Sequence, residues 1–230
     1  MPKRVIVTGA SSGIGRATAE VFLSEGAHVA LVARRLRPLE DVAEKFEAGR
    51  AKVVQADLSD STETETAFSR AIAELGGLDV LVNAAGILKS GGLEVTSLDL
   101  WDETMNINVR SLFHLMKLAV PQLERSRGSI VNVSSVTGVR SFPGVLAYCV
   151  SKAAVDHLTR CTALELAPKG IRVNAVNPGV VVTELHRAGG MDEEAYKKFV
   201  EHGKTTHPLG RVGDAHEVAD LIYFLASEKA

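Results

Sequence analysis

Residues 4–15 read Arg-Val-Ile-Val-Thr-Gly-Ala-Ser-Ser-Gly-Ile-Gly, a short apolar run that breaks at once into a glycine-rich turn. Val5, Ile6 and Val7 have the continuous apolar character of a strand buried on both faces. Residues 13–24 then carry apolar side chains at helical spacing, so Gly9, Gly13 and Gly15 fall on a strand-to-helix crossover. Glycines at such a turn let the backbone approach a pyrophosphate, and the helix N-terminus offers unpaired N–H groups and a positive dipole end. The spacing is G-x-x-x-G-x-G rather than the commoner G-x-G-x-x-G. Alone it would also suit a plain tight turn, but its place on the first crossover points to a dinucleotide. Gly9, Ser11, Ser12, Gly13, Ile14 and Gly15 are the expected phosphate-side contacts. Gly9, Ser11 and Gly13 also satisfy the G-x-S-x-G elbow of serine hydrolases. That reading needs oxyanion-hole donors from an earlier strand loop, which the sequence does not supply.

Outward from this turn, similar apolar runs recur at 28–32, 52–56, 79–83, 129–133 and 172–176. Helix-period stretches lie between them at 36–48, 61–75, 99–124 and 148–167, followed by 192–203 and 214–227. Strands alternating with helices predict βαβ units, hence a Rossmann-type α/β fold: a doubly wound parallel sheet in a three-layer α/β/α arrangement. No Pro- or Ser-rich linker, repeat or low-complexity tract interrupts the pattern, so residues 1–230 are expected to form one domain.

Composition narrows the function classes. A formal net charge of −2, with Lys and Arg scattered, gives no field to hold a nucleic-acid backbone. The first residues lack a signal-peptide pattern, and nowhere do about 18 apolar residues run together. A cytoplasmic protein without membrane partners is expected. Cys149 and Cys161 lie on one expected helix, roughly 18 Å apart at helical rise, too far to bridge. They suit small packing residues in a reducing compartment.

The second strand ends Leu31-Val32-Ala33-Arg34-Arg35, where an NAD site usually places an acidic residue against the ribose 2′-hydroxyl. Ala33 leaves room for a 2′-phosphate and Arg34 can meet it with a charge-assisted hydrogen bond. The expected cofactor is NADP(H).

Tyr148 and Lys152 stand at i and i+4 on an expected helix and share a face. An ammonium beside a phenol favours the phenolate, which predicts a lowered Tyr148 pKa and an acid–base role. The strand at 129–133 runs into Ser134 and Ser135, putting hydroxyls at the carboxyl end of a central strand, where ligands bind in open α/β sheets. Without a histidine partner such a serine is a hydrogen-bond donor to substrate rather than a nucleophile.

With these motifs assembled, the chain resembles the short-chain dehydrogenase/reductase family, in its compact single-domain branch. Gly9, Gly13 and Gly15 match that family's phosphate loop, Asp57 its adenine-contacting acid, and Asn83-Ala84-Ala85-Gly86 its fourth-strand motif. Residues 101–108 resemble the helix that carries its asparagine, and Ser135, thirteen residues before Tyr148, matches its serine better than Ser134 does. Asn177-Pro178-Gly179 with Thr183 resembles the nicotinamide-side loop.

The resemblance implies that Tyr148 exchanges the proton with a carbonyl or alcohol oxygen that Ser135 holds. It further implies that Lys152 holds the nicotinamide ribose, that Asn108 anchors a water relay to Lys152, and that Thr183 bonds the carboxamide. Asp57, Asn83, Gly86, Pro178 and Gly179 complete the implied cofactor contacts. Two departures stand out: Ala84 replaces the commoner asparagine, and the sequence stops at Ala230, where the family continues into a further strand and tail.

Residues 184–206 occupy the place of the family's substrate lid and carry Leu185, Met191, Tyr196, Phe199 and Val200. With Leu88, Val139, Phe142 and Leu146 they suggest a hydrophobic ketone or secondary alcohol. Lys89 and Arg140 leave a 3-oxoacyl thioester open. The helices at 99–124 and 148–167 are expected to pack against their copies in a homodimer or homotetramer. His186, His202 and His207 have no compact metal-ligand spacing, and no metal is expected. The alternative is a catalytically silent NADP-sensing module, which would be expected to lose Tyr148, Lys152 or Ser135.

Overall fold

A computed structural model describes residues 2–230. Six strands, β1 (Arg4–Thr8), β2 (His28–Ala33), β3 (Ala51–Gln55), β4 (Val80–Asn83), β5 (Ser129–Val133) and β6 (Arg172–Val176), form one sheet in the order β3-β2-β1-β4-β5-β6. Every pairing is parallel. This is the Rossmann-type doubly wound sheet that the alternating pattern predicts.

The period of two along each strand builds the layers. Ile6, Leu81, Ile130 and Val173 face one side, against Phe68 of α3 (Ser61–Leu75), Leu115 of α5 (Ser111–Ser126) and Val155 of α6 (Leu146–Leu166). Val5, Val7, Val82 and Val131 face the other, against Phe22 of α1 (Gly13–Ser24), Leu39 of α2 (Leu36–Ala43) and Ile222 of α9 (Ala215–Ala226). Phe22 also meets Tyr223 edge-on, with ring centroids 5.2 Å apart, which fixes α1 against α9. Burying one such aromatic ring contributes about 1.5–3 kcal/mol.

Two expected helices differ. The one anticipated at 36–48 ends at Ala43: Lys45 and Phe46 bond the carbonyls three residues back, tightening the last turn as Phe46 packs inward on the core. The stretch at 99–124 is divided into α4 (Leu98–Met105), a π-helical turn at Asn106–Arg110, and α5. The wider turn lets buried Asn108 reach the loop after β4. Residues 184–206 form α7 (Leu185–Ala188) and α8 (Glu193–Thr206). Both cysteines lie on α6, unpaired.

A buried polar chain joins the layers. Asn83 Nδ2 donates to Asn132 Oδ1 at 2.9 Å, Asn132 Nδ2 to Thr159 Oγ1 at 2.9 Å, and Thr159 Oγ1 to the Val155 carbonyl at 2.7 Å. Stranding one such group costs about 1–3 kcal/mol. Asn132→Leu deprives both Asn83 and Thr159, so urea unfolding should show a stability loss of at least about 2 kcal/mol. A loss below about 0.5 kcal/mol would mean the chain contributes nothing net.

Candidate active site

At the switch point, β1 and β4 are neighbours but their connections leave in opposite directions, which opens a cleft at the strands' carboxyl ends. The Thr8 hydroxyl closes its base, accepting the N–H groups of Ala84 and Ala85, both at 3.1 Å. Gly9 passes so near that a Cβ there would lie 2.8 Å from the Ala84 carbonyl oxygen, and one on Gly15 would strike the Gly9 carbonyl. Gly13 adopts φ +54° and faces Thr183, whose Cγ2 would sit 3.1 Å from an added Cβ. The phosphate loop and the loop after β6 therefore touch.

The α1 N-terminus fits an anion. Ser12 occupies the N-cap without a side-chain cap bond, whereas Asp60, Asp192 and Asp214 cap α3, α8 and α9 with their carboxylates. The first turn of α1 carries no acid either, so its N–H groups keep their full attraction for phosphate oxygens. Ile14 packs partly against the core beneath.

Past β2, Arg34 is 61% exposed at the side chain and stands 4.0 Å from Asp57. Burial acts to raise the Asp57 pKa, but hydrogen bonds from Ser59 and the Arg34 charge outweigh it and hold the carboxyl below its ordinary value. Arg35, which the sequence reading left unassigned, reaches Ser11 Oγ at 3.2 Å and so overhangs the phosphate loop. The Asn83 side chain turns away from this cleft: the residue is 2% exposed and its Nδ2 donates to Asn132 Oδ1. The reason is parity, since Asn83 shares the face of Leu81 rather than that of Val82.

On the other side of the cleft, Tyr148 lies in the first turn of α6 and Lys152 one turn on, both buried. Ser134 Oγ is spent on the Lys152 carbonyl at 3.1 Å, while Ser135 adjoins the Tyr148 phenol. Lys152 Nζ donates to the Val133 carbonyl at 2.7 Å and stands 5.6 Å from the Tyr148 ring centroid. Asn108 accepts from the Ile87 N–H at 2.8 Å and donates to the Ile87 carbonyl and Ser151 Oγ, pinning the Gly86 loop against α6. An added Cβ on Gly86 would lie 3.7 Å from Lys152 Nζ. Pro178 offers its carbonyl to the Val136 N–H at 2.9 Å.

Sequence reasoning missed Asp156 and gave Asn177 no role beyond its place in the loop motif. The Asn177 amide donates to the Ser135 carbonyl at 3.0 Å and to both oxygens of buried Asp156. Asp156 follows Lys152 by one helical turn, a spacing that could have flagged it.

A family profile described as enoyl-(acyl carrier protein) reductase matches residues 9–230. Meso-2,3-butanediol dehydrogenase of Serratia marcescens is 36% identical, covering 99% of this chain and 88% of that one. The 3-oxoacyl-[acyl-carrier-protein] reductase of Staphylococcus aureus is 37% identical, covering 100% of this chain and 93% of that one. The chain belongs to the short-chain dehydrogenase/reductase family. The structure of 3-ketoacyl-(acyl-carrier-protein) reductase from Brucella melitensis complexed with NADH superposes with a TM-score of 0.90 at 29% identity, covering 99% of this chain and 92% of that one.

As a dehydrogenase/reductase site, the electrostatics differ from the lowered phenol pKa expected from Tyr148 and Lys152 alone. Burial pushes the Tyr148 phenol up to about 12, with the Ser135 hydroxyl offsetting part of the effect. Burial also lowers Lys152 to about 8, against the Asp156 charge, which raises it. Near neutral pH the pair is therefore phenol and ammonium, the state required to give a proton to a carbonyl oxygen.

The depressed Lys152 pKa has a thermodynamic sign. Between pH 8 and the unfolded value of 10.5 the unfolded chain binds a proton that the folded one does not, so the folded state gains stability as pH rises through that window. Lys152→Met removes this gain. The stability of Lys152→Met relative to wild type should fall by about 3 kcal/mol between pH 8 and pH 10.5, read by urea unfolding. A pH-independent difference would show that Lys152 titrates normally.

Proposed function

We propose that this chain is an NADP(H)-dependent carbonyl reductase, acting reversibly on a hydrophobic ketone or its secondary alcohol, with the 3-oxoacyl class as the larger variant. The observation that carries the reading is the grouping of buried Tyr148, Ser135 and Lys152 at the cleft, on a fold whose α1 N-terminus is left uncapped. The nicotinamide, when bound, supplies or takes the hydride. Ser135 holds the substrate oxygen, Tyr148 gives it a proton, and Lys152 stabilises the phenolate left behind. Lys152 also holds the nicotinamide ribose, Thr183 the carboxamide, and Gly9, Ser11, Ser12, Gly13, Ile14 and Gly15 the pyrophosphate side. Asp57 faces the adenine, with Gly86, Pro178 and Gly179 lining the remaining path.

Residues 184–206 act as the lid of a single catalytic domain. Exposed Phe113, Val150 and Leu164 on α5 and α6 support assembly through those helices. The relatives' names span a small diol and an acyl thioester, so a substrate panel should hold both classes. Loss of NADPH absorbance with any member separates an enzyme from a silent nucleotide sensor. Tyr148→Phe should cut kcat by about 10²–10⁴-fold while leaving NADPH affinity within a few-fold. Retention of most activity would remove Tyr148 from the mechanism.

Cofactor choice rests on Ala33, Arg34 and Arg35. No acidic side chain ends β2, and a charge-assisted bond from Arg34 to a 2′-phosphate contributes about 1.5–3 kcal/mol, or roughly ten- to a hundred-fold in affinity. Asp57 competes for Arg34 at 4.0 Å, which places the expectation at the lower end. The kcat/KM should favour NADPH by about tenfold, and Ala33→Asp with Arg34→Ala should reverse it. Equal use of NADH by wild type would make Arg34 a solvated surface charge.

A further inference from the structure

Half-buried His207 caps the C-terminus of α8, and both its ring nitrogens are engaged. Nδ1 lies 2.7 Å from the Gly203 carbonyl oxygen, and Nε2 lies 3.1 Å from the backbone nitrogen of Val180. A carbonyl oxygen can only accept and a backbone N–H can only donate. The ring proton therefore sits on Nδ1, and the Nε2 lone pair receives the Val180 N–H. No backbone carbonyl among the described residues accepts that N–H.

We propose that His207 is a positioning residue, tying the end of the lid helix to the Asn177–Thr183 loop and holding that loop in the shape that receives the nicotinamide. The inference rests on the proposed function in taking this loop as the nicotinamide side.

Three observations single out His207. Gly179 is in contact with the imidazole: a Cβ there would lie 2.7 Å from Nε2, so the glycine makes room for the histidine. Gly203 sits at the same crossing, where a Cβ would lie 2.7 Å from Val212 Cγ1 and at an ordinary contact distance of 3.6 Å from Val180 Cγ1, so α8 packs tightly on the Val212 segment and in normal contact with the loop. The loop's other edge is already paired, since Gly213 N–H donates to the Val180 carbonyl and Val182 N–H to the Gly213 carbonyl, leaving the Val180 N–H directed at His207. The far end is tied separately, by the Tyr196 hydroxyl donating to the Thr183 carbonyl at 3.2 Å. His207 thus fixes the stretch next to Pro178 and Gly179, and Tyr196 fixes Thr183.

The test compares His207→Gln, whose amide oxygen reaches the Nε2 position, with His207→Asn, whose amide reaches only the Nδ1 position. In the full chain without added nucleotide, native-state exchange of the Val180 amide should be about tenfold faster in His207→Asn and within about twofold of wild type in His207→Gln, as expected for one hydrogen bond lost or kept. NADPH dissociation constants should follow the same order, with the KM for NADPH up about five- to tenfold in His207→Asn and kcat changed less than about twofold. Unchanged Val180 exchange in His207→Asn overturns the tie itself. Faster exchange with unaltered NADPH binding overturns its role in receiving the cofactor, as does His207→Gln behaving like His207→Asn. Wild type that binds neither NADPH nor NADH refutes the proposed function and, with it, the cofactor half of the inference.

Discussion

The structure turns on the Thr8 hydroxyl. Where β1 and β4 part, the N–H groups of Ala84 and Ala85 leave the ladder, and unpaired they would carry a desolvation cost at the floor of a cleft. One threonine oxygen accepts both, at 3.1 Å each, and its proton points back towards the Val82 carbonyl. This draws β1 and the β4 loop together closely enough that only glycine fits at position 9. The glycine pattern is thus a packing requirement of the switch point as much as a feature for phosphate. A small residue at position 84 is compatible with the same joint, because Thr8 addresses the backbone and not the side chain.

A second constraint is electrostatic. Lys152 is held in the interior with one carbonyl at bonding distance, and its ammonium survives there because Asp156 stands one helical turn away and the Val133 carbonyl accepts its hydrogen bond. Burying a cation this way costs stability. Tyr148 shares the same dry environment, which keeps its proton on. The shifts of the Tyr148 phenol and the Lys152 ammonium therefore share one cause, exclusion of water, acting with opposite sign on an acid and on a cation.

What could be read from the sequence was local. The phosphate loop occupies one strand–turn–helix crossover, and Tyr148 and Lys152 lie one turn apart on one helix, so spacing sufficed. The inward turn of the Asn83 side chain is legible in its parity with Leu81 on β4. The π-helical turn at Asn106–Arg110 was not legible, because it depends on Ile87, far off in the chain, accepting and donating to Asn108. The early end of α2 likewise depends on where Phe46 finds its core neighbours. The sign of the Tyr148 shift failed for a related reason: helical spacing shows the ammonium but not how much protein lies over the ring.

The two halves of the cleft are joined through Asn177. Its amide nitrogen has two hydrogens; one reaches the Ser135 carbonyl and the other is shared by the Asp156 oxygens. Ser135 carries the hydroxyl beside the phenol, Asp156 belongs to the helix bearing Tyr148 and Lys152, and Asn177 opens the loop that runs through Pro178 to Thr183. A shift of that loop must therefore move the backbone under Ser135 or strand a buried carboxylate, and the second alternative is the costlier. Gly138 is held at the same point, since any side chain there would run into Asp156 and the Lys152 carbonyl. The Ser135 hydroxyl and the loop from Asn177 to Thr183 consequently share one rigid support, which, under the proposed function, is what would keep a proton donor and a hydride donor in register on a single carbon–oxygen bond.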